Sequence, residues 1–427
     1  MRLSVILFTL SLATLAMADK PRALSLKQAH EAALQKHPKI TVSELKALAA
    51  KQVVKQAQSA FFPTIIGNLG AAVAADPNTR VVSGILPLSS VFDRASASVV
   101  VSQLITDFGR SAHLEQSAKL KAGAERENVE ATRAQILLQV DGAYMSALQA
   151  QALVDVAQQT VKTRKLLRDQ VVTLAKNQLK SDLDASFAEV NYQEALLLQS
   201  KSENDLQASF ATLAALLDER QTTAYLLTDH PTTAKAAGNV SELISEAMNN
   251  RPDLKRLRLE RDSAWKFAKA EGGLRNPTLS MQGTAGVLPY RDKALADQNY
   301  AAGGIALSIP IFTGGLYTAR QKEAELRAQA ADASLRDEET GVIRDVRIAW
   351  INLNNARERT AITAELLTQA GKSQDLADAR YNAGTTSMVE LGQAQLSFTS
   401  AQINETTARY EFLVRRSLLD YQIGNLR

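Results

Sequence analysis

The segment His-Pro-Lys-Ile at residues 37–40 recurs as Arg-Pro-Asp-Leu at residues 251–254, which lie 214 positions further along the chain. At the same offset, Pro-Thr-Ile at 63–65 recurs as Pro-Thr-Leu at 277–279. Beyond the next loop the offset becomes 206, and it then holds without a gap through residue 394. Agreement in spacing over this length predicts two copies of one structural unit. A period this long excludes a solenoid of short repeats.

The first 18 residues have the pattern of a secretion signal. Arg2 precedes an apolar run from residue 3 to residue 15, and Ala16-Met17-Ala18 resembles a signal-peptidase site. A membrane anchor is the alternative, but the run is shorter than the ~20 residues that a spanning helix needs. Residue 19 is Asp, which excludes a lipoprotein anchor, and the chain contains no Cys. We therefore predict a signal peptide at residues 1–18 and an exported protein of a Gram-negative envelope.

Composition and motifs argue against several classes of function. The formal net charge of +4 over 427 residues is too weak to indicate a nucleic-acid-binding protein. The four histidines, at positions 30, 37, 113 and 230, lack metal-ligand spacing, and no nucleophile motif surrounds a Ser or Asp. After residue 18 no apolar run is long enough for a transmembrane helix. We predict no enzymatic activity, no cofactor and no metal site.

Each copy is predicted to consist mainly of long helices. The predicted repeats are residues 19–221 and 240–427, joined by an irregular Thr- and Ala-rich linker at 222–239; the long helices are expected at about 40–61, 111–176, 182–217, 316–381 and 388–422. Apolar residues recur there at intervals of three and four, as in coiled coils. A helix of roughly 65 residues would span about 100 Å. Tight turns near Asn177 and Asn382 predict that each long helix folds back as an antiparallel hairpin.

Each copy also contains one predicted β-hairpin, at about 64–108 and about 278–312. Pro63 and Pro277 open what we interpret as the only β segments of the chain. Val99 and Val101 have the opposite parity to Ser98 and Ser102, and Ile305 and Leu307 face away from Ser308. Strands of about 10 residues with one apolar face are typical of transmembrane β-barrels. A soluble hairpin on a core is the alternative, but the flanking helices are much too long for a compact domain.

Four strands cannot close a barrel, and open edges in lipid leave backbone groups unpaired at several kcal/mol each. Membrane strands would therefore require a barrel shared between chains. Two copies would give eight strands with a filled interior, and three would give twelve strands with a water-filled lumen. The small and hydroxyl-bearing residues on the inner face favour three, but both dimer and trimer remain open from these considerations.

The ordered set of motifs resembles the TolC family of outer-membrane efflux proteins over nearly the whole mature chain. Three regions carry the resemblance: Ser102-Gln103-Leu104 with Asp107-Phe108-Gly109-Arg110, then Ile309-Pro310-Ile311-Phe312 with Gly314-Gly315, and finally Tyr381 to Ser387 with the helix that follows. The resemblance implies a fold that is mainly α with a small β part. It also implies a homotrimer whose twelve-stranded barrel in outer-membrane lipid continues into a periplasmic α-barrel.

The resemblance further implies a periplasmic gate at the helix turns. Glu390 matches an acidic ring position, and Gln393 stands where a second acid can occur. Tyr381 matches a tyrosine that ties neighbouring helices, Asp184 matches an acid on the first-copy helix, and Thr386 stands where some members have arginine. Because Gln393 and Thr386 are neutral, we expect a weaker acid ring and a weaker latch.

The turns themselves are the expected contact with a periplasmic adaptor protein that also engages an inner-membrane pump. The residues concerned are Asn177, Gln178, Leu179, Asn382, Ala383, Gly384 and Thr385. Gly384 permits a left-handed turn, whereas Gln178 takes its place in the first copy, so we expect the two turns to differ.

The leading functional hypothesis is the exit duct of a tripartite efflux system in the outer membrane. A type I protein-secretion duct has the same architecture and is the first alternative, and heavy-metal efflux is another. A periplasmic coiled-coil scaffold without a pore is the alternative from a different class. The sequence does not identify the cargo, the pump or the resting state of the gate.

Overall fold

The computed structural model describes residues 22–73, 80–83, 86–90, 94–219, 225–228, 238–290 and 298–426. The predicted signal peptide at 1–18 lies outside these residues. So do most of the predicted linker and parts of the two loops between the strands.

Two helices near the start of the first repeat recur in the second repeat. Helices α1 (Leu26–Lys36) and α2 (Pro38–Gln58) correspond to α5 (Val240–Asn250) and α6 (Pro252–Gly272). Each break falls where a proline occupies the first position of the second helix. Proline lacks the backbone donor that a helix interior needs, but its fixed φ suits a helix start.

The long helices form two hairpins of equal dimensions; the sequence had indicated nearly the same bounds. Helices α3 (Arg110–Lys176) and α7 (Leu316–Asn382) have 67 residues each. Helices α4 (Asp182–Leu216) and α8 (Met388–Gln422) have 35 residues each and return along them. At 1.5 Å per residue, α3 and α7 each span about 100 Å.

Four strands form one antiparallel sheet at the end opposite the helix turns. The strands are β2 (Thr64–Ala72), β5 (Arg94–Thr106), β7 (Thr278–Tyr290) and β8 (Asn299–Ser308), in the spatial order β2-β5-β7-β8. The pairing of β5 with β7 joins the two repeats. Strands β2 and β8 therefore lie at the two edges of the sheet.

The register gives the sheet two different faces. Cross-strand partners place Val99, Val101, Ile305 and Leu307 on one face, together with Ile65, Leu69, Met281 and Val287. The other face carries mainly small and polar residues: Thr64, Asn68, Ser98, Ser102, Ser280, Gln282, Thr284, Gly304 and Ser308. Side chains of directly paired residues lie on the same side of a sheet, so the apolar face continues across all four strands.

The expectation that only two hairpins contain β structure was wrong. A parallel pair joins β1 (Arg22–Leu24) to β6 (Tyr225–Leu227), which lies inside the predicted irregular linker. A second small pair, β3 (Arg80–Ser83) and β4 (Leu86–Ser90), lies within the first strand-to-strand loop. Strands of three to five residues are too short to show a period of two, and a parallel partner about 200 residues away leaves no local signal.

The main core lies where α1, α2 and the β1–β6 pair meet the middle of α3 and the C-terminal end of α4. Tyr144 is fully buried there, and its hydroxyl donates to the carbonyl oxygen of Leu24 at 2.9 Å. Phe210 packs edge-on against Tyr225 with ring centroids 5.6 Å apart. A second cluster in the other repeat includes Val346 and Leu353. No helix in the described part of the chain is both long and apolar enough to span a membrane.

Residues 107–111 connect the sheet to the first long helix. The buried Asp107 carboxylate accepts hydrogen bonds from the backbone N–H of Gly109 at 3.2 Å and of Ser111 at 2.7 Å, and from the Ser111 hydroxyl at 2.6 Å. Gly109 has a φ of 96°, a conformation that glycine adopts without strain. The carboxylate therefore satisfies donors that the first turn of α3 would leave unpaired.

Asp107→Ala is expected to destabilise the protein by about 1–2 kcal/mol, because it removes this cap and leaves buried donors unpaired. Thermal unfolding followed by circular dichroism measures the change. Thr313 occupies the equivalent position of the second copy and offers its backbone carbonyl to Leu316 at 3.1 Å. Thr313→Ala is the matched control and should change the melting temperature little; equal effects would contradict the capping role of Asp107.

Candidate functional site: the helix turns at the far end of the long hairpins

The two helix turns adopt the same backbone geometry. Gln178 and Gly384 occupy equivalent positions and have φ values of 55° and 74°. In the first turn the N–H of Leu179 donates to Leu174 at 2.9 Å, and in the second the N–H of Thr385 donates to Arg380 at 2.9 Å. The expectation that the turns differ was therefore wrong, because the helix-ending hydrogen bonds impose the left-handed conformation on Gln178 as well.

A serine begins the returning helix in both copies. The Ser181 hydroxyl accepts from the N–H of Asp184 at 3.1 Å, and the Asp184 carboxylate in turn accepts from the N–H and the hydroxyl of Ser181. Ser387 likewise accepts from the N–H of Glu390 at 3.3 Å. Asp184 and Glu390 thus stand at the same position of the two copies, the third residue of a capped helix.

The carboxylate of Glu390 has different partners from that of Asp184. It accepts from the Arg380 guanidinium at 2.8 Å, across the turn, and from the hydroxyl of Thr386. Both charged side chains are about half exposed, at 56% for Arg380 and 51% for Glu390. Thr386 is neutral, as the sequence indicated, but a cation is supplied by Arg380, which the sequence analysis did not single out. The sequence feature that could have identified Arg380 is its position in the last turn of α7, close to the start of the returning helix.

Tyr381 lies between the two hairpins. Its side chain is buried against Val171 of α3 and against Met388 and Leu391 of α8. The ammonium group of Lys180 stands 4.2 Å from the centre of the ring, a cation–π contact from the first turn. Within the described residues the Tyr381 hydroxyl has no hydrogen-bond partner. Burial, together with the charge of Asp184, raises the pKa of this hydroxyl above its ordinary value.

The remaining residues expected at the gate and the adaptor contact lie at the surface. Gln393 is exposed one turn beyond Glu390. The exposed turn residues are Asn177, Gln178, Leu179, Asn382, Ala383, Gly384 and Thr385. Leu179 is the most prominent apolar side chain among them, with 70% of its surface exposed. Over the residues that the structure describes, no group of three or more His, Asp or Glu side chains is arranged to hold a metal ion.

Comparison with known proteins decides the family. The sequence model described as "Outer membrane efflux protein" matches residues 29–219 and 243–425. The chain belongs to this family. The match divides at the same place as the internal repeat and covers most of both copies. The resemblance to the TolC family that the sequence indicated is thereby confirmed.

Relatives and solved structures agree with this assignment. Outer membrane protein TolC of Salmonella enteritidis is 23% identical over 421 residues, which cover 95% of this chain and 83% of that protein. A crystal structure of CusC superposes with a TM-score of 0.82 at 16% identity, covering 93% of this chain and 92% of the other. The open state of the MtrE outer membrane channel from Neisseria gonorrhoeae superposes with a TM-score of 0.77 at 19% identity, covering 94% and 89%.

The chain is therefore an outer-membrane efflux channel with a large periplasmic extension, and it serves as the exit duct of a tripartite efflux system. The predicted fold class, location and channel function are confirmed. The family is one of channels rather than enzymes. Family membership favours the channel over the scaffold without a pore.

Gln178→Gly is expected to stabilise the protein by about 1 kcal/mol, because it removes the steric cost of a Cβ in the left-handed region. Thermal unfolding of the purified protein measures this change. The neighbouring Asn177 has a φ of −91°, where a side chain costs nothing. Asn177→Gly should therefore lower the melting temperature slightly, through the added flexibility of the unfolded chain. A loss of stability in both variants would contradict the assignment of strain to Gln178.

Proposed function

We propose that three copies of the chain form one channel, in which a twelve-stranded barrel crosses the outer membrane and the long helices form a periplasmic tunnel. The open edges of the sheet carry this proposal. In the described part of the chain, β2 pairs only with β5, and β8 pairs only with β7. Unpaired backbone groups cost several kcal/mol each in hydrocarbon, so each edge needs a partner strand from another copy.

The directions of the strands are compatible with such a closure. All three pairings within the sheet are antiparallel, so β2 and β8 run in opposite directions. Pairing β8 of one copy with β2 of the next therefore continues the alternation around a ring. The small and polar face would line a wide, water-filled lumen, and the apolar face would contact lipid. The resemblance to the TolC family favours three copies over two.

Helices α2 and α7 support the same contact between neighbouring copies as strands β2 and β8. Helices α2, α3, α6 and α7 pack side by side in that order, so α2 and α7 lie at the ends of the row, as β2 and β8 do in the sheet. Both end helices carry exposed apolar side chains: Leu45 and Leu48 on α2, and Leu326, Ile348 and Ile351 on α7. Exposed apolar rows of this kind mark surfaces that bind another protein, here a second copy.

We further propose that the helix turns form the periplasmic gate and face an adaptor protein, which in turn engages an inner-membrane pump. The contact between Lys180 and the Tyr381 ring links the first hairpin to the second and would hold the gate closed. In single-channel recordings, Lys180→Met should then raise the open probability, whereas Tyr381→Phe, which keeps the ring, should not. The opposite pattern would assign the tether to the hydroxyl.

The cargo, a small molecule or a secreted protein, depends on the pump. Identifying the pump by pull-down with the channel therefore distinguishes the two kinds of cargo.

The proposed trimer can be tested by placing a charged residue on α2. Leu48→Glu places a carboxylate in the proposed contact between copies, so detergent-extracted protein should shift from trimer towards monomer in light scattering and cross-linking. Leu48→Met keeps an apolar side chain at the same position and is the control. A wild-type protein that cross-links only to a dimer would rule out the twelve-stranded barrel.

The selectivity of the gate is tested at Arg380. In the proposed trimer, Arg380 neutralises Glu390, so the wild-type entrance should select weakly between ions. Arg380→Ala would release three carboxylates at a narrow mouth, which attract cations and bind multivalent blockers. Cation selectivity and block by a hexammine cation, applied from the periplasmic side of a planar bilayer, should both increase.

Because this ion pair is exposed, its loss should cost no more than about 1 kcal/mol of stability. Arg380→Lys keeps the charge and is the matched control. Glu390→Ala should shift selectivity in the opposite direction, towards anions. Unchanged selectivity in both alanine variants would place the narrowest part of the entrance elsewhere.

A further inference from the structure

Tyr300 and Gly286 form an unusual pair near one end of the sheet. They are direct cross-strand partners on β8 and β7. A Cβ atom added to Gly286 would lie 2.7 Å from both Cζ and the hydroxyl oxygen of Tyr300. Such distances are far shorter than any real contact of a Cβ atom. The tip of the tyrosine ring therefore rests directly on the backbone of Gly286, and the ring lies along the sheet instead of standing away from it.

The register assigns this pair to the small and polar face. The row of cross-strand partners runs from Asn68 through Ser98 and Gly286 to Tyr300. The residues of the apolar face have the opposite parity on every strand. In the proposed barrel, Tyr300 and Gly286 thus belong to the lumen wall and not to the lipid surface.

The pair also lies at the exit end of the duct. Tyr300 is the second residue of β8, and this strand continues for eight more residues before the chain turns into α7. The helices attach to the other end of the sheet, so Tyr300 lies near the end remote from the periplasm.

We propose that Gly286 provides the space that lets Tyr300 lie flat, and that this arrangement keeps three tyrosine rings out of the lumen at the outer mouth of the channel. The inference rests on the proposed trimeric barrel, in which three such rings line one level of the lumen. With a side chain at position 286, the three rings must turn away from the sheet, and the lumen is the space available to them. Pore diameter is a main determinant of conductance and of the size of the solutes that pass.

A double-mutant cycle in planar bilayers tests the pair, with all variants made in the Lys180→Met background so that the periplasmic gate is open. Gly286→Ala should lower single-channel conductance there, because the displaced rings narrow the lumen. Tyr300→Ala alone should leave conductance close to wild type, since the ring already lies against the wall. The double variant should recover the wild-type conductance. Gly304→Ala is the control, because it adds a methyl group to the same face at a site where a Cβ meets no atom within 4 Å.

A second pair of variants tests the proposal if Gly286→Ala does not assemble. The added Cβ of Gly286→Ala also approaches the carbonyl oxygen of Ala97 at 2.7 Å, so this variant can fail to assemble. In that case Tyr300→Ala is compared with Gly304→Tyr, whose ring faces Gln282 instead of glycine and must stand in the lumen. Unchanged conductance for the first and reduced conductance for the second support the proposal.

Higher conductance in Tyr300→Ala would show that the wild-type ring already obstructs the lumen and would overturn the proposal, as would additive effects in the cycle. The failure of the proposed function gives a different result. Wild-type protein would then form no channels or only dimers, and the inference would fall with it.

Discussion

Pairing of backbone hydrogen-bond groups at the edges of a four-stranded sheet is the constraint on which the rest of the structure depends. An even number of antiparallel strands leaves edges of opposite direction, so identical copies can join edge to edge without a mismatch. The helices follow the order of the strands from which they emerge, and the same two sides of the chain therefore carry both the open edges and the exposed apolar rows. The sheet edges and the exposed helix surfaces therefore both require contact with an adjacent copy of the chain.

Much of this architecture could be predicted from spacing alone. Heptad-like intervals without proline over about 65 residues leave little alternative to a long helix, and parity along a strand fixes its two faces. Features that depend on distant partners gave no such signal. Residues 22–24 form a strand only because residues 225–227 lie beside them. The conformation of Gln178 has a different, local cause: the hydrogen bonds that end α3 impose it, whereas the preference of a non-glycine residue for negative φ pointed the other way.

The helix turns show why residue-by-residue comparison between copies and between relatives has limits. Asp184 and Glu390 occupy equivalent positions, but the shorter side chain returns to its own helix end, and the longer one reaches Arg380 across the turn. One additional methylene group, with arginine in place of leucine at the facing position, changes an N-terminal cap into an ion pair. A sequence motif can identify this site, whereas its charge depends on neighbours outside the motif.

The parallel β1–β6 pair has a consequence for the order of folding. It joins the described N-terminal end of the first copy to a segment about 200 residues later, and Tyr144 at the centre of the core donates its hydrogen bond to the same first strand. An exported chain leaves the translocation machinery N-terminus first. The core of the first copy thus stays incomplete until the segment between the copies has also been exported. Contacts of such long sequence separation slow folding, so the apolar side chains of the first core stay exposed in the emerging chain during that interval.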